Sequence, residues 1–341
     1  MTWRAGGRVA AVGLVVAALL GAAAPATRAE VLPGPRLAYL RWALVAGEPL
    51  EVDSAAPDGS AVQLLAGGPS NPVPLPNVYG GISWSPSGSS LAFVSGVAPG
   101  SEYEPGFVYI VPAAGGVADQ VPGSEGATDP VFAPDGRSLA VERSRRAMHR
   151  RRGGRGAEYE RSVWLLGLEG GFIRRLTRWQ PRPIVPASFS PDGKVVAITR
   201  VARNGRRDAV AISLDGSGSQ LIATNAANPV YSPSGSRVAV VRPSGLSTDI
   251  FVGRSDGSHL KRISDGEAEH WPAWDPSGRR LAFVSYDGPV FPQSLLGIGG
   301  TLVEINADGS CETKIRSSPA VALLAPAWQP GVGRGAGRIS C

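Results

Sequence analysis

A chain of 341 residues with 45 glycines and 30 prolines has room for two average domains or for one repetitive β domain. The glycines and prolines sit at regular turn positions between apolar runs, which excludes a disordered or low-complexity chain. The formal charge of +6 is concentrated: residues 143–161 carry eight arginines against Glu158 and Glu160. Without that segment and three N-terminal arginines the remainder is −3, which excludes a general nucleic-acid-binding surface.

Arg4 and Arg8 precede an apolar run from Val9 to Ala24, followed by small residues at Ala24-Pro-Ala26 and Thr27-Arg-Ala29. Residues 1–29 read as a secretory signal peptide cut after Ala29 or Ala26, with an uncleaved N-terminal anchor as the alternative. The mature chain, residues 30–341, then opens with Arg36-Leu37-Ala38-Tyr39-Leu40, a strand with no partner before it.

From there one pattern recurs. A turn proline stands at Pro86, Pro134, Pro191, Pro233, Pro276 and Pro330. Two residues earlier each copy has an aromatic residue: Trp84, Phe132, Phe189, Tyr231, Trp274 and Trp328. Two residues later come Gly88, Gly136, Gly193, Gly235 and Gly278, while the sixth copy has Gly331 directly after its proline. Leu/Val-Ala follows in five copies, as in Leu281-Ala282. The pattern predicts strand, tight turn, strand: proline presets φ at the first corner and glycine takes the φ > 0 position. A second Gly-containing hairpin follows each copy, around Gly59, Gly115, Gly170, Gly216, Gly257 and Gly309. Proline spacings of 48, 57, 42, 43 and 54 match four-stranded propeller blades with insertions.

The sixth copy lacks the second strand that the N-terminal Leu37-Ala38 supplies. The expected fold is therefore all-β, a single six-bladed propeller whose closing blade joins N-terminal strands to the C-terminal strand near Leu324 to Trp328 and leaves no open sheet edge around the ring. The repeat resembles the TolB-type β-propeller pattern, a relative of WD-repeat blades. That resemblance implies a secreted, periplasmic or cell-envelope protein acting mostly by binding, although such blades also gate prolyl-oligopeptidase-like enzymes.

The longest insertions, residues 95–106, 143–161 and 286–299, all fall between the second and third strands of a blade. They therefore collect on the side that also receives the links between blades. Ligand or partner candidates on those links are Asn77, Tyr79, Asp129, Trp179, Asn228, Glu269, His270 and Trp271. The insertion in the second full blade, with Arg145, Arg146, Arg150, Arg151, Arg152 and Arg155, is too polar and glycine-rich to pack. It reads as a loop for an acidic polymer or an anionic membrane surface, with no specific nucleic acid.

Cys311 and Cys341 are the two cysteines, and an even pair in a secreted chain points to a disulfide pinning the C-terminal tail. No metal-ligand spacing occurs and no cofactor is expected. With no G-x-S-x-G elbow and no sialidase-like box, the expected function is a non-catalytic, monomeric scaffold for a protein or envelope component. The alternative is a cell-envelope lyase or glycoside hydrolase using the rim carboxylates Asp129 and Glu269.

Overall fold

The repeat folds into blades in the computed structural model, which describes residues 34–43, 51–67, 81–95, 106–147, 159–245, 247–266, 268–286, 299–318 and 321–331. The closing blade takes β1 (Leu37–Ala43), β2 (Glu51–Ala55) and β3 (Gln63–Gly67). Blade I has β4 (Ser83–Trp84), β5 (Ser90–Ser95), β6 (Phe107–Pro112) and β7 (Asp119–Gln120). Blade II has β8 (Ala127–Phe132), β9 (Ser138–Arg146), β10 (Tyr159–Gly167) and β11 (Phe172–Arg175). Blade III has β12 (Ile184–Phe189), β13 (Val195–Val201), β14 (Arg207–Ser213) and β15 (Ser219–Ala223). Blade IV has β16 (Ala227–Tyr231), β17 (Arg237–Ser244), β18 (Ser247–Arg254) and β19 (Lys261–Arg262). Blade V has β20 (Glu269–Trp274), β21 (Arg280–Tyr286), β22 (Gly300–Asn306) and β23 (Thr313–Ser318).

The last strand, β24 (Val321–Trp328), returns to the N-terminal strands in the order β24-β1-β2-β3. Its register sets Leu37 opposite Trp328 and Leu40 opposite Leu324. The chain's two ends thus share one antiparallel ladder. The first strands of the blades touch one another in circular order, from β4 through β8, β12, β16 and β20 to β24 and back to β4. The molecule is an all-β six-bladed propeller. Among the described residues no helix is long and apolar enough to cross a membrane, and the signal segment 1–29 lies outside them.

Each second strand is buried on both faces, as in the wholly buried run Leu281-Ala282-Phe283-Val284. A sheet wedged between two neighbours has no solvated face, so its middle strands read as continuous apolar runs rather than alternating ones. The core is accordingly a set of inter-blade clusters, such as Leu281, Phe283 and Val303 of blade V against Val241, Ile250 and Val252 of blade IV.

The proline and glycine of the repeat are partners across blades. A side chain on Gly136 would meet the Pro86 ring at 3.7 Å, one on Gly193 the Pro134 ring at 3.8 Å, and ones on Gly235 and Gly278 the rings of Pro191 and Pro233 at 3.4 Å. Gly88 closes the circle against the Pro330 carbonyl. These glycines have φ between +66° and +70°, so backbone conformation selects all five, and at Gly88 close approach does so as well.

The aromatic position stitches the inner strands together. The indole Nε1–H of Trp84 donates to the Ala327 carbonyl at 3.0 Å and that of Trp274 to the Val230 carbonyl at 2.9 Å. At two of the three copies without an indole, a serine on the preceding blade makes the link instead. Ser83 Oγ accepts from Phe132 N at 3.0 Å and Ser188 Oγ from Tyr231 N at 3.1 Å.

Candidate functional site

The sheet order puts the hairpin turns at one end of every blade and the insertions and inter-blade links at the other. At the latter end four of the inner strands start with a ladder irregularity, between Thr128 and Val131, Pro186 and Ser188, Ala227 and Val230, and His270 and Ala273. Five residues before the turn proline the backbone turns left-handed at Asp129 (φ +52°), Asn228 (φ +48°), Trp271 (φ +53°) and Ala325 (φ +46°). A bulky residue such as Trp271 holds this conformation at a cost of about 1–2 kcal/mol. Three of the sequence-predicted rim residues therefore occupy one equivalent position. Asn77 and Tyr79 lie outside the described residues.

Asp129 is half-buried between inner strands. Its Oδ1 accepts from Gly81 N of blade I at 3.2 Å. Removal from bulk water, reinforced by the nearby Glu142 carboxylate, pushes its pKa up to about 8, so the acid carries its proton at neutral pH. Glu142 was not anticipated from the sequence. It sits on β9 opposite Thr128, accepts from Ile184 N of blade III at 3.0 Å and pairs with Arg161 Nε at 3.2 Å. Burial raises its pKa, while the Ile184 bond and the Arg161 charge oppose the rise. Its signal was present: eight residues after the turn proline the other full blades have Val94, Thr199, Val241 and Val284, so a glutamate there interrupts an apolar run. Thr199 does the same in the next blade, accepting from Asn228 N at 2.8 Å.

Glu269 departs from its expected place on the rim. It is 1% exposed and locks blade IV to blade V. Oε1 accepts from Gly266 N at 3.0 Å, and Oε2 accepts from Ile250 N at 3.3 Å and from the Ser264 hydroxyl. Burial raises its pKa to about 7 despite these donors. A carboxylate whose oxygens are already engaged by three donors is architectural, and it shares no partner with Asp129, three blades away. With its oxygens so engaged, Glu269 is not an open rim carboxylate.

His270 and Trp271 stay together, with ring centroids 5.4 Å apart, and both lie against Tyr286. The Tyr286 hydroxyl donates to the Leu323 carbonyl of the closing blade at 3.0 Å. Desolvation, aided by the Arg207 charge, lowers the His270 pKa to about 4, so the imidazole is neutral at physiological pH.

Trp179 is displaced from the channel rim. The link after β11 runs on beside β10, where Arg161 and Gln180 exchange backbone bonds of 2.7 and 2.9 Å. This carries Trp179 onto the flank of blade II, its centroid 6.1 Å from that of Trp164. The arginine insertion also needs correction. Arg143, Arg145 and Arg146 are ladder residues of β9, opposite Ser162, Glu160 and Tyr159 of β10, because Arg145 binds Glu160 and caps the Trp179 ring at 4.1 Å. The rest of the expected loop, including Arg150, Arg151, Arg152 and Arg155, lies outside the described residues, as does Cys341. Among the described residues no cluster of three or more His, Cys, Asp or Glu could hold a metal.

Comparison with known proteins accords with this architecture. Residues 83–332 match the profile of the TolB beta propeller domain. An uncharacterized protein of Agrobacterium fabrum is 28% identical over 226 residues, 63% of this chain and 69% of its own. In fold, TolB from Acinetobacter baumannii superposes with a TM-score of 0.67 at 18% identity, covering 87% of this chain and 67% of its own. A putative TolB from Agrobacterium tumefaciens gives 0.61 at 21% identity, covering 84% and 91%. A chain of a nidogen/laminin complex gives 0.61 at 11%, covering 87% and 98%. With six blades closed by a split sheet and the profile matched over most of the chain, this protein belongs to the TolB β-propeller family.

Proposed function

We propose that the protein is a secreted or periplasmic, non-catalytic propeller that binds a protein or cell-envelope component through its insertion-bearing side. The observation that carries this reading is convergence. The three longest insertions join the second and third strands of their blades, on the side that also receives the inter-blade links, and four equivalent inner-strand positions with left-handed backbone, Asp129, Asn228, Trp271 and Ala325, lie on that same side, while Ala61, His259 and Cys311 hold left-handed backbone on the hairpin turns opposite. The nidogen/laminin neighbour supports the idea that a ring of this shape serves protein association.

The test is site-specific photo-crosslinking in the source envelope, with the crosslinker at Asn228 or Trp271 and, as control, at Asp215 or Asp256 on the hairpin turns. One recurrent adduct from the first pair alone is expected. Equal capture from both sides, or none from the rim, would defeat the reading. The arginine insertion adds affinity for acidic polymer or anionic membrane; deleting residues 147–158 should reduce salt-sensitive retention on an anionic support. Pairing of Cys311 with Cys341 holds the tail that closes the ring, supported by the absence of a free cysteine among the described residues. The ring works as a monomer.

A further inference from the structure

The basic character of the chain reaches beyond the insertion. Residues 127–183 contain thirteen arginines against six carboxylates, a net +7 that exceeds the +6 of the entire chain. Blade II is therefore a cationic blade in a ring that is otherwise slightly acidic.

Within it, arginines and aromatic rings interleave. Arg143 lies over two adjoining rings, its guanidinium carbon 3.9 Å from the Phe172 centroid and 5.5 Å from that of Trp164. Trp164 meets Phe172 edge-on at 5.6 Å and Trp179 at 6.1 Å, and Arg145 covers Trp179. Three strands and a link build the row: β9 supplies the arginines, β10 and β11 supply Trp164 and Phe172, and the link after β11 supplies Trp179. Stacking holds each guanidinium flat and leaves its N–H edge to recognise an anion.

The two arginines differ in what meets that edge. Arg145 Nε and Nη2 donate to Glu160 Oε2 at 3.0 and 2.8 Å. Arg143, two residues along on the same face of the strand, makes no hydrogen bond or ion pair among the described residues. The Glu125 charge stabilises it only at a distance, and burial together with Arg145 lowers its pKa. Glu160 thus displays on Arg145 the group that Arg143 is arranged to receive, roughly 6.8 Å further along the strand.

We infer that Arg143, stacked on Phe172 beside Trp164 on the flank of blade II, is the anchor of a binding site for a linear carboxylate-bearing polysaccharide. A polymer with one carboxylate per sugar suits a row of guanidinium edges set along one strand. A bilayer suits it less, because the guanidiniums cover the rings that would otherwise enter the headgroup region. The inference rests on the insertion-bearing side being the binding side, and it names a ligand class for it.

The test titrates the full chain with a hexameric mannuronate oligosaccharide at low salt, following tryptophan fluorescence, since Trp164 and Trp179 lie in the row. Binding that weakens with added salt is expected, with Arg143→Lys reducing affinity about tenfold because a point charge replaces a stacked, bidentate fork. Phe172→Leu should weaken binding in the same direction, and Arg254→Lys on blade IV should leave it unchanged. Thermal midpoints of all variants establish that each is folded. Absence of binding, affinity unaffected by both Arg143→Lys and Phe172→Leu, or binding seen only with phosphatidylglycerol vesicles would each overturn the inference. Crosslinks at Asn228 and Trp271 report on the wider binding side independently, so failure of one result leaves the other standing.

Discussion

Replacing Glu269 with glutamine should give a stability difference from the parent that reverses between pH 5 and pH 8. Glu269 has a folded pKa of about 7 against an ordinary value of 4.5. Between those values the folded state holds a proton that the unfolded chain has released, so stability falls as pH rises from 4.5 to 7 and is level above. The interval of about 2.5 units corresponds to at most about 3 kcal/mol lost from this group. Glutamine carries no such penalty, but its amide nitrogen cannot accept the bond that Gly266 N or Ile250 N now makes, at a cost of about 1–2 kcal/mol. Glu269→Gln is therefore expected to be less stable than the parent at pH 5 and equal or more stable at pH 8. Guanidinium denaturation of both proteins at both pH values checks this. Asp129 and Glu304, also raised, to about 8 and about 7, tilt both proteins alike and cancel in the difference. A variant destabilised equally at pH 5 and pH 8 would refute the assignment of a buried, proton-holding carboxyl.

Three further outcomes follow from the packing. Gly257 and Gly216 share φ near +84°, at +83° and +85°, but a side chain on Gly257 would overlap the Ile222 carbonyl of blade III while one on Gly216 meets nothing within 4 Å. Gly216→Ala should cost about 1 kcal/mol from backbone conformation alone and Gly257→Ala at least about 2 kcal/mol more, read from denaturation midpoints. Arg36, 1% exposed, donates to Ser54 Oγ and O at 2.8 Å and to Ala61 O at 2.7 Å within the closing blade. Arg36→Met should destabilise by about 2–4 kcal/mol by leaving these acceptors unpaired, measurable by thermal unfolding. Cys311→Ser should cost roughly 3 kcal/mol if the 30-residue loop to Cys341 is closed, and reduction of the parent should match it; unchanged melting on reduction would show two thiols.

Much of the fold was legible because its determinants are local. A proline that presets φ, a glycine that accepts φ > 0 and an aromatic two residues upstream specify a hairpin without reference to anything distant. The split closing blade followed from the missing Leu-Ala in the sixth copy and its presence at Leu37-Ala38. Asp129, Asn228 and Trp271 were expected on the links and instead lie within the inner strands β8, β16 and β20, at the end of the blade that the links enter.

The site was less legible because burial and pairing are decided by the neighbouring blade. Glu269 looks like a rim carboxylate beside His270 and Trp271, yet Ser264, Gly266 and Ile250 surround it. Trp179 looks like a rim aromatic, yet the Arg161–Gln180 bridge carries it to the flank. Arg143 and Arg145 look like the start of a polar loop, yet they are ladder residues stacked on rings from β10, β11 and the link after it. The sequence by itself determined the blade, its count and the closure of the ring, since turn chemistry and repeat period act within a few residues. Only the tertiary structure decided which charges are buried, which arginine is left unmatched and which prolines the glycines rest on, since those depend on surfaces that meet about 40 to 60 residues apart.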